Sequence, residues 1–237
     1  PEDVNIGLEV PLFNIRAIPN PDLRPETSDG FETGLRLTGS PVALTASVFL
    51  TEYGDFIESK VNLGVDPATG VTLFQSQNVA EARIYGAEFD ARVDVSAWSP
   101  RLAGWSGRLA GSWIRGDDLT RDVPLNSIDP PRLVLGMRYD APSTRWGSEL
   151  ALTAVEAQRE VDRSRADLYR TDGYATLDWL ANVNITPRLR LNIGLFNLTD
   201  TEYIEWSDVR GRVADDPLVP YYTRAGFNVS ASLRYDF

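Results

Sequence analysis

Apolar and polar side chains alternate along most of this chain, and that period of two narrows its folding options more than any other feature. It suits an extended strand with one apolar and one polar face and does not suit a helix. From Phe227 to Phe237 the odd positions read Phe, Val, Ala, Leu, Tyr, Phe, against Asn228, Ser230, Ser232, Arg234 and Asp236. The same alternation runs through Leu189–Leu195 and Ala175–Ile185, and more weakly through Ile84–Val95. Weaker versions occupy Phe31–Thr38, Val42–Thr51, Ser106–Arg115, Leu133–Tyr139 and Trp146–Val155. Together these predict about nine strands, each near the ~10 residues that a tilted membrane-spanning strand requires.

The connections alternate too. Gly39-Ser40-Pro41, Ala141-Pro142-Ser143-Thr144 and Thr186-Pro187 read as tight turns, and Ser99-Pro100-Arg101 as a slightly longer one. Between them lie long polar stretches over Glu58–Val79, Gly116–Pro130, Gln158–Asp172 and Asn197–Gly226. Short turns at one end and long loops at the other describe an antiparallel transmembrane β-barrel, with its turns periplasmic and its loops extracellular. Trp98, Trp105, Tyr139, Trp146 and Tyr235 fall near the short turns, as an aromatic girdle would. A soluble or surface β-sandwich binding module also alternates. Its outer face, however, is ordinarily rich in Lys, Glu and Thr, whereas the polar face here is Gly, Asn, Asp, Arg and Ser, as in a wet lumen.

Composition removes several function classes. The chain has no cysteine and no histidine, which excludes disulfide scaffolds, thiol chemistry and any imidazole base. An outer-membrane barrel enzyme such as a lipase would lack its base, so no catalytic residue is expected. A net charge of −11 opposes binding to nucleic acid. No run approaches the roughly 20 apolar residues of a spanning helix, which a barrel does not need. Asp117-Asp118 with Asp122, and Asp215-Asp216, lack the spacing of a calcium loop and read as solvated acidic loops, so no metal site is expected. Asn197-Leu198-Thr199 reads as a loop start whose side chains bond nearby backbone. The chain opens at Pro1 without a targeting segment, which suggests a mature chain or a piece of a longer one.

Several segments resemble TonB-dependent outer-membrane receptors, in particular the haemoglobin/transferrin/lactoferrin and haem receptor branch. Asn20-Pro21-Asp22-Leu23-Arg24-Pro25-Glu26-Thr27-Ser28-Asp29 is similar to that branch's NPNL-x-PE-T-S segment, and Ala82–Glu88 to its A-x-I-x-G-x-E strand. Pro124–Pro130 resembles its turn-to-strand entry, and Phe196–Asp200 with Tyr203 and Trp206–Gly211 its last long loop. The order of these segments and the terminal Phe237 add to the likeness, which runs from about Ile18 to the end.

The resemblance implies a barrel of about 22 strands with a plugged lumen. Of this the chain would supply the nine C-terminal strands without the plug: residues 1–29 ending an extracellular loop, residues 30–237 forming strands, turns and loops. It implies a bacterial outer-membrane receptor for energy-coupled uptake of haem or a haem- or iron-carrying protein, or alternatively of another siderophore or nutrient. The expected partners are outer-membrane lipid, the substrate, and the inner-membrane TonB complex reached through parts outside this chain. Haem would be cargo and not a catalytic cofactor. The ligand-contacting candidates are the loop residues Asn20, Pro21, Asp22, Leu23, Tyr169, Trp206, Asp208, Arg210, Tyr221 and Tyr222. Tyr221 and Tyr222 are considered as phenolate donors, since the chain has no histidine to offer.

Overall fold

The structure is a computed structural model that describes residues 7–164 and 166–237; Pro1–Ile6 of the expected first loop lie outside the described residues. Twelve strands follow in chain order: β1 (Leu8–Val10), β2 (Ile15–Ala17), β3 (Thr27–Leu37), β4 (Val42–Val65), β5 (Thr72–Asp94), β6 (Trp105–Asp118), β7 (Val123–Pro124), β8 (Arg132–Asp140), β9 (Trp146–Val155), β10 (Tyr174–Thr186), β11 (Leu189–Phe196) and β12 (Asn228–Tyr235). Nine of them form one antiparallel wall in the order β3-β4-β5-β6-β8-β9-β10-β11-β12. The outer edges of β3 and β12 are unpaired among the described residues, so the wall is open. Lipid offers no partner for the backbone groups along such edges, and closing the wall requires further strands. Among the described residues no helix is long and apolar enough to cross a membrane.

The two faces differ as the alternation predicts. One carries Leu35, Val48, Leu109, Leu135, Leu150 and Leu233, all exposed. An apolar band of this extent marks a surface meant for lipid and not for water. At its turn end Trp105, Tyr139 and Trp146 form a row with successive ring centroids 5.1 Å apart. The other face is polar and internally paired. Arg108 holds Asp90 at 2.6 Å, Arg138 reaches both Asp140 (2.6 Å) and Glu149 (3.4 Å), and Arg190 donates to Asn184 at 2.8 Å. Where backbones pack under large rings, glycine is required: a Cβ on Gly86 would lie 2.6 Å from the Trp113 carbonyl.

One expected loop is a strand pair. Glu58–Val79 is mostly β4 and β5, which run on past the wall as a hairpin turning at Asp66–Val71. The alternation is lost there without loss of pairing. Lys60 takes a left-handed conformation (φ 56°) and the register shifts between Glu58 and Val61, so successive side chains change face. The β1–β2 hairpin continues this extension, with β2 parallel to the Thr72–Phe74 end of β5.

The face assignment is testable on adjacent residues of β8. In the intact receptor in phospholipid vesicles, Leu135→Arg is expected to cost about 2–4 kcal/mol in chemical unfolding, as for a cation set in the bilayer. Val134→Arg, which opens beside Ser112, Glu88 and Asp90, is expected to cost much less. Equal costs would overturn the assignment of faces.

Candidate functional site: the outer loop assembly

The long connections gather at the end of the wall opposite the short turns and pack on one another. The segment after β11 holds a single helical turn, α1 (Trp206–Val209). Trp206 (2% exposed) and Val209 form an apolar cluster with Val161, Leu168 and Val219, flanked by Tyr169 and Tyr222. The Trp206 indole N–H donates to the Asn126 carbonyl at 2.9 Å, and the Asn126 side chain bonds the backbone of Asp162 on both sides. One tryptophan therefore joins three loops: β6 to β8, β9 to β10, and β11 to β12.

The same segment is fastened to the projecting β4–β5 hairpin. Lys60 Nζ donates to the Ser207 carbonyl (3.1 Å), Asn62 to the Gly211 carbonyl (2.5 Å), and Arg210 Nη2 to Ser59 Oγ (2.9 Å). Gly211 (φ +85°) allows this approach, because a Cβ there would lie 2.6 Å from the Phe74 ring. Arg212 is 3% exposed and holds Asp216 (2.7 Å), the Phe13 carbonyl (3.0 Å) and the Tyr222 hydroxyl (2.5 Å). Asp118, 1% exposed, is bound by Arg121 at 2.7 Å. Asp118 and Asp216 are thus not solvated as expected; each acid fixes a buried arginine or a turn.

The sequence candidates separate into two groups. Trp206, Tyr169, Tyr222, Arg210 and Asp208 come together in or beside the joint; Asp208 pairs with Arg224 at 2.9 Å. Tyr221 points outward and is 75% exposed. Asn20–Leu23 lies apart, along β5: Asn20 donates to the Ser76 carbonyl and accepts from the Asp22 N–H, Arg24 N–H donates to Asn78, and Pro21 is exposed. The Leu23 N–H donates to the Asn20 carbonyl at 3.4 Å, closing a turn.

Residues not singled out in the sequence do much of the electrostatic work. Glu58, 7% exposed in the part of β4 beyond the wall, accepts from Ser127 Oγ at 2.9 Å through one oxygen. Its other oxygen and Arg210 Nε have no partner among the described residues. Burial pushes the Glu58 carboxyl up, against the opposing Ser127 hydrogen bond and the Arg210 charge. Burial and Arg210 together pull the Lys60 ammonium down. Beneath α1 a cavity of about 350 Å³ opens between the wall and this segment, lined by Arg132, Tyr174, Asp129, Glu205 and Trp206 among others. Neither Glu58 nor this cavity had a local signal, because β-sheet register and chain crossing assemble both. No group of side chains among the described residues is arranged to hold a metal ion.

An open antiparallel wall, lipid-facing on one side and capped by interlocked loops at one end, defines the class: an outer-membrane barrel built to present loops. The family model for the TonB dependent receptor-like β-barrel matches residues 5–198. The chain belongs to the TonB-dependent receptors, by their β-barrel, and so to the bacterial outer membrane. It is 28% identical to the probable hemoglobin and hemoglobin-haptoglobin-binding protein 4 of Haemophilus influenzae over 92% of this chain and 24% of that protein. It is 29% identical to the hemoglobin-haptoglobin utilization protein B of Neisseria meningitidis over 84% of this chain and 28% of that one. The chain thus spans about a quarter of the length of these relatives. Among solved structures the copper transporter OprC superposes with a TM-score of 0.74 at 19% identity, covering 92% of this chain and 32% of its own. The siderophore receptor PirA of Acinetobacter baumannii gives 0.65 at 19%, covering 94% and 33%. At these identities the likeness is one of fold.

The Glu58 contact carries a pH dependence. Its folded carboxyl holds a proton more tightly than an exposed one near 4.5, so the loop packing loses stability as pH rises from there through the raised value. Glu58→Gln keeps a partner for Ser127 and removes the buried charge. The variant is expected to resist proteolysis of residues 197–226 better than the parent at pH 7.5, and equally at pH 4.5. A variant less resistant at pH 7.5 would show that the charge stabilises the joint.

Proposed function

We propose that this chain is the C-terminal part of the barrel of a receptor that captures haem or a haem-carrying protein and imports it. The observation that carries this reading is the alignment, over 92% and 84% of the chain, of relatives named for hemoglobin-haptoglobin binding and utilization. The physical arrangement supports it. A protein ligand needs a preformed surface, and the loops here have their own apolar core and a hydrogen-bonded frame instead of trailing free. The charges that line the wall give a wet passage. Capture falls to the loops, passage to the barrel, and gating and energy coupling to a plug and the TonB complex outside this chain. Asn20–Leu23, Tyr169, Trp206, Asp208, Arg210, Tyr221 and Tyr222 belong to this capture end, with Tyr221 exposed for direct contact.

The test uses the intact receptor in detergent, titrated with haemoglobin and with free haem. Binding of haemoglobin at about 1 μM or tighter is expected, within the range of specific protein complexes. Trp206→Ala, which removes the pin between three loops, is expected to weaken haemoglobin capture at least tenfold while the folded barrel persists, read by heat-modifiable gel mobility. An intact receptor that binds neither haemoglobin nor haem would overturn the reading.

A further inference from the structure

The cavity under α1 has a floor that register alone assembles. Ser112 pairs with Arg132, Arg132 with Val155, and Val155 with Tyr174, so these four side chains form one row across β6, β8, β9 and β10. Directly opposed residues share a face, and this row lies on the polar face of the wall. Tyr203, from the segment after β11, stacks on Tyr174 with centroids 4.1 Å apart and planes within 24°. Trp206 and Glu205 close the far side of the cavity, which holds about 350 Å³.

The charges in it are unevenly committed. Glu205 is engaged by Arg224 at 2.7 Å. Arg132 has no hydrogen bond or ion pair through its side chain among the described residues, whereas Arg121, Arg212 and Arg224 at this end each hold a carboxylate. Its positive field reaches the hydroxyls of both Tyr174 and Tyr203. Burial raises Tyr203, so its phenol stays protonated at neutral pH. Burial also raises Asp129, which moderates the one uncommitted acid in the lining. A free guanidinium and the Tyr174 ring, which Tyr203 backs from outside the lining, suit a planar ring bearing carboxylates.

We infer that this recess is a subsite for the carboxylate edge of a planar macrocycle of haem's kind, with Arg132 receiving a propionate and Tyr174, braced by Tyr203, flanking the ring. The inference rests on the functional reading above and deepens it. The chain has no histidine, so what its own residues offer at this recess is recognition of the ring and its carboxylates. The cavity is smaller than a whole haem, so the ring's opposite edge extends toward the open lumen.

The experiment compares haem with its propionate dimethyl ester as probes of the intact receptor. The parent is expected to bind the diacid about 10- to 100-fold more tightly than the ester, the range for a charge-assisted hydrogen bond. Arg132→Ala should abolish that preference by weakening the diacid alone, with haemoglobin capture and gel mobility unchanged. Tyr174→Ala should weaken diacid and ester equally. A diacid preference that survives Arg132→Ala overturns the subsite while leaving the function in place. An intact receptor that binds neither haem nor haemoglobin overturns both. Where Arg132→Ala fails to fold, Arg132→Gln is read in its place for the same loss of preference.

Discussion

In a hydrocarbon layer no backbone N–H or C=O finds water, and each has to be satisfied by another strand. Continuous antiparallel pairing from β3 to β12 meets that demand at every internal strand and leaves it unmet only along two edges. Everything else follows from keeping that ladder unbroken. Side chains must alternate between lipid and lumen, connections at one end must be tight, and irregular backbone is confined to the end that leaves the membrane. Polar groups facing lipid need partners as well. Trp179 Nε1 donates to Ser148 Oγ at 2.9 Å, joining two side chains on the apolar face.

Outside the membrane the constraint relaxes and a different one takes over. The loops have water, but to hold a shape they need a core, and they build one from each other. Trp206 supplies it by burying a large ring and sending its only polar atom to a neighbouring loop's carbonyl. Arg212 does the equivalent with charge: nearly fully buried, it spends its donors on Asp216, Phe13 and Tyr222. Such a charge is tolerable only because its partners are complete. Removing any one of them would leave a buried cation short of an acceptor.

The wall was legible because its code is local. Trp146–Val155 begins and ends where alternation says it does, and the other eight differ mainly at their outer ends. Asn197 also behaves as its type suggests, accepting from the Thr201 N–H at 2.9 Å to start the last loop. The β4–β5 extension was misread as loop because bulges at Lys60 and Gly64 scramble which residues share a face while the strands stay paired. Propensity survives there, but periodicity does not. The joint was half legible: Trp206 and Arg210 stand out in the sequence, but their roles as pin and brace depend on Asn126 and Ser59, far away in the chain.

Arg132 and Tyr174 were beyond reach for a more general reason. Their neighbourhood is created by strand register, through Val155, and by a loop returning to place Tyr203 on Tyr174. A barrel strand spends its alternation on the lipid face, so the lumen face is free to carry almost any small or polar residue. Function written on that face leaves no periodic trace, and only pairing across strands brings it together. The loops above it are restricted differently, since each must bury part of itself to stand up. A barrel of this build is therefore layered by depth: loop residues that are buried hold the outer surface, Tyr221 stands exposed on it, and the wall just below lines a recess.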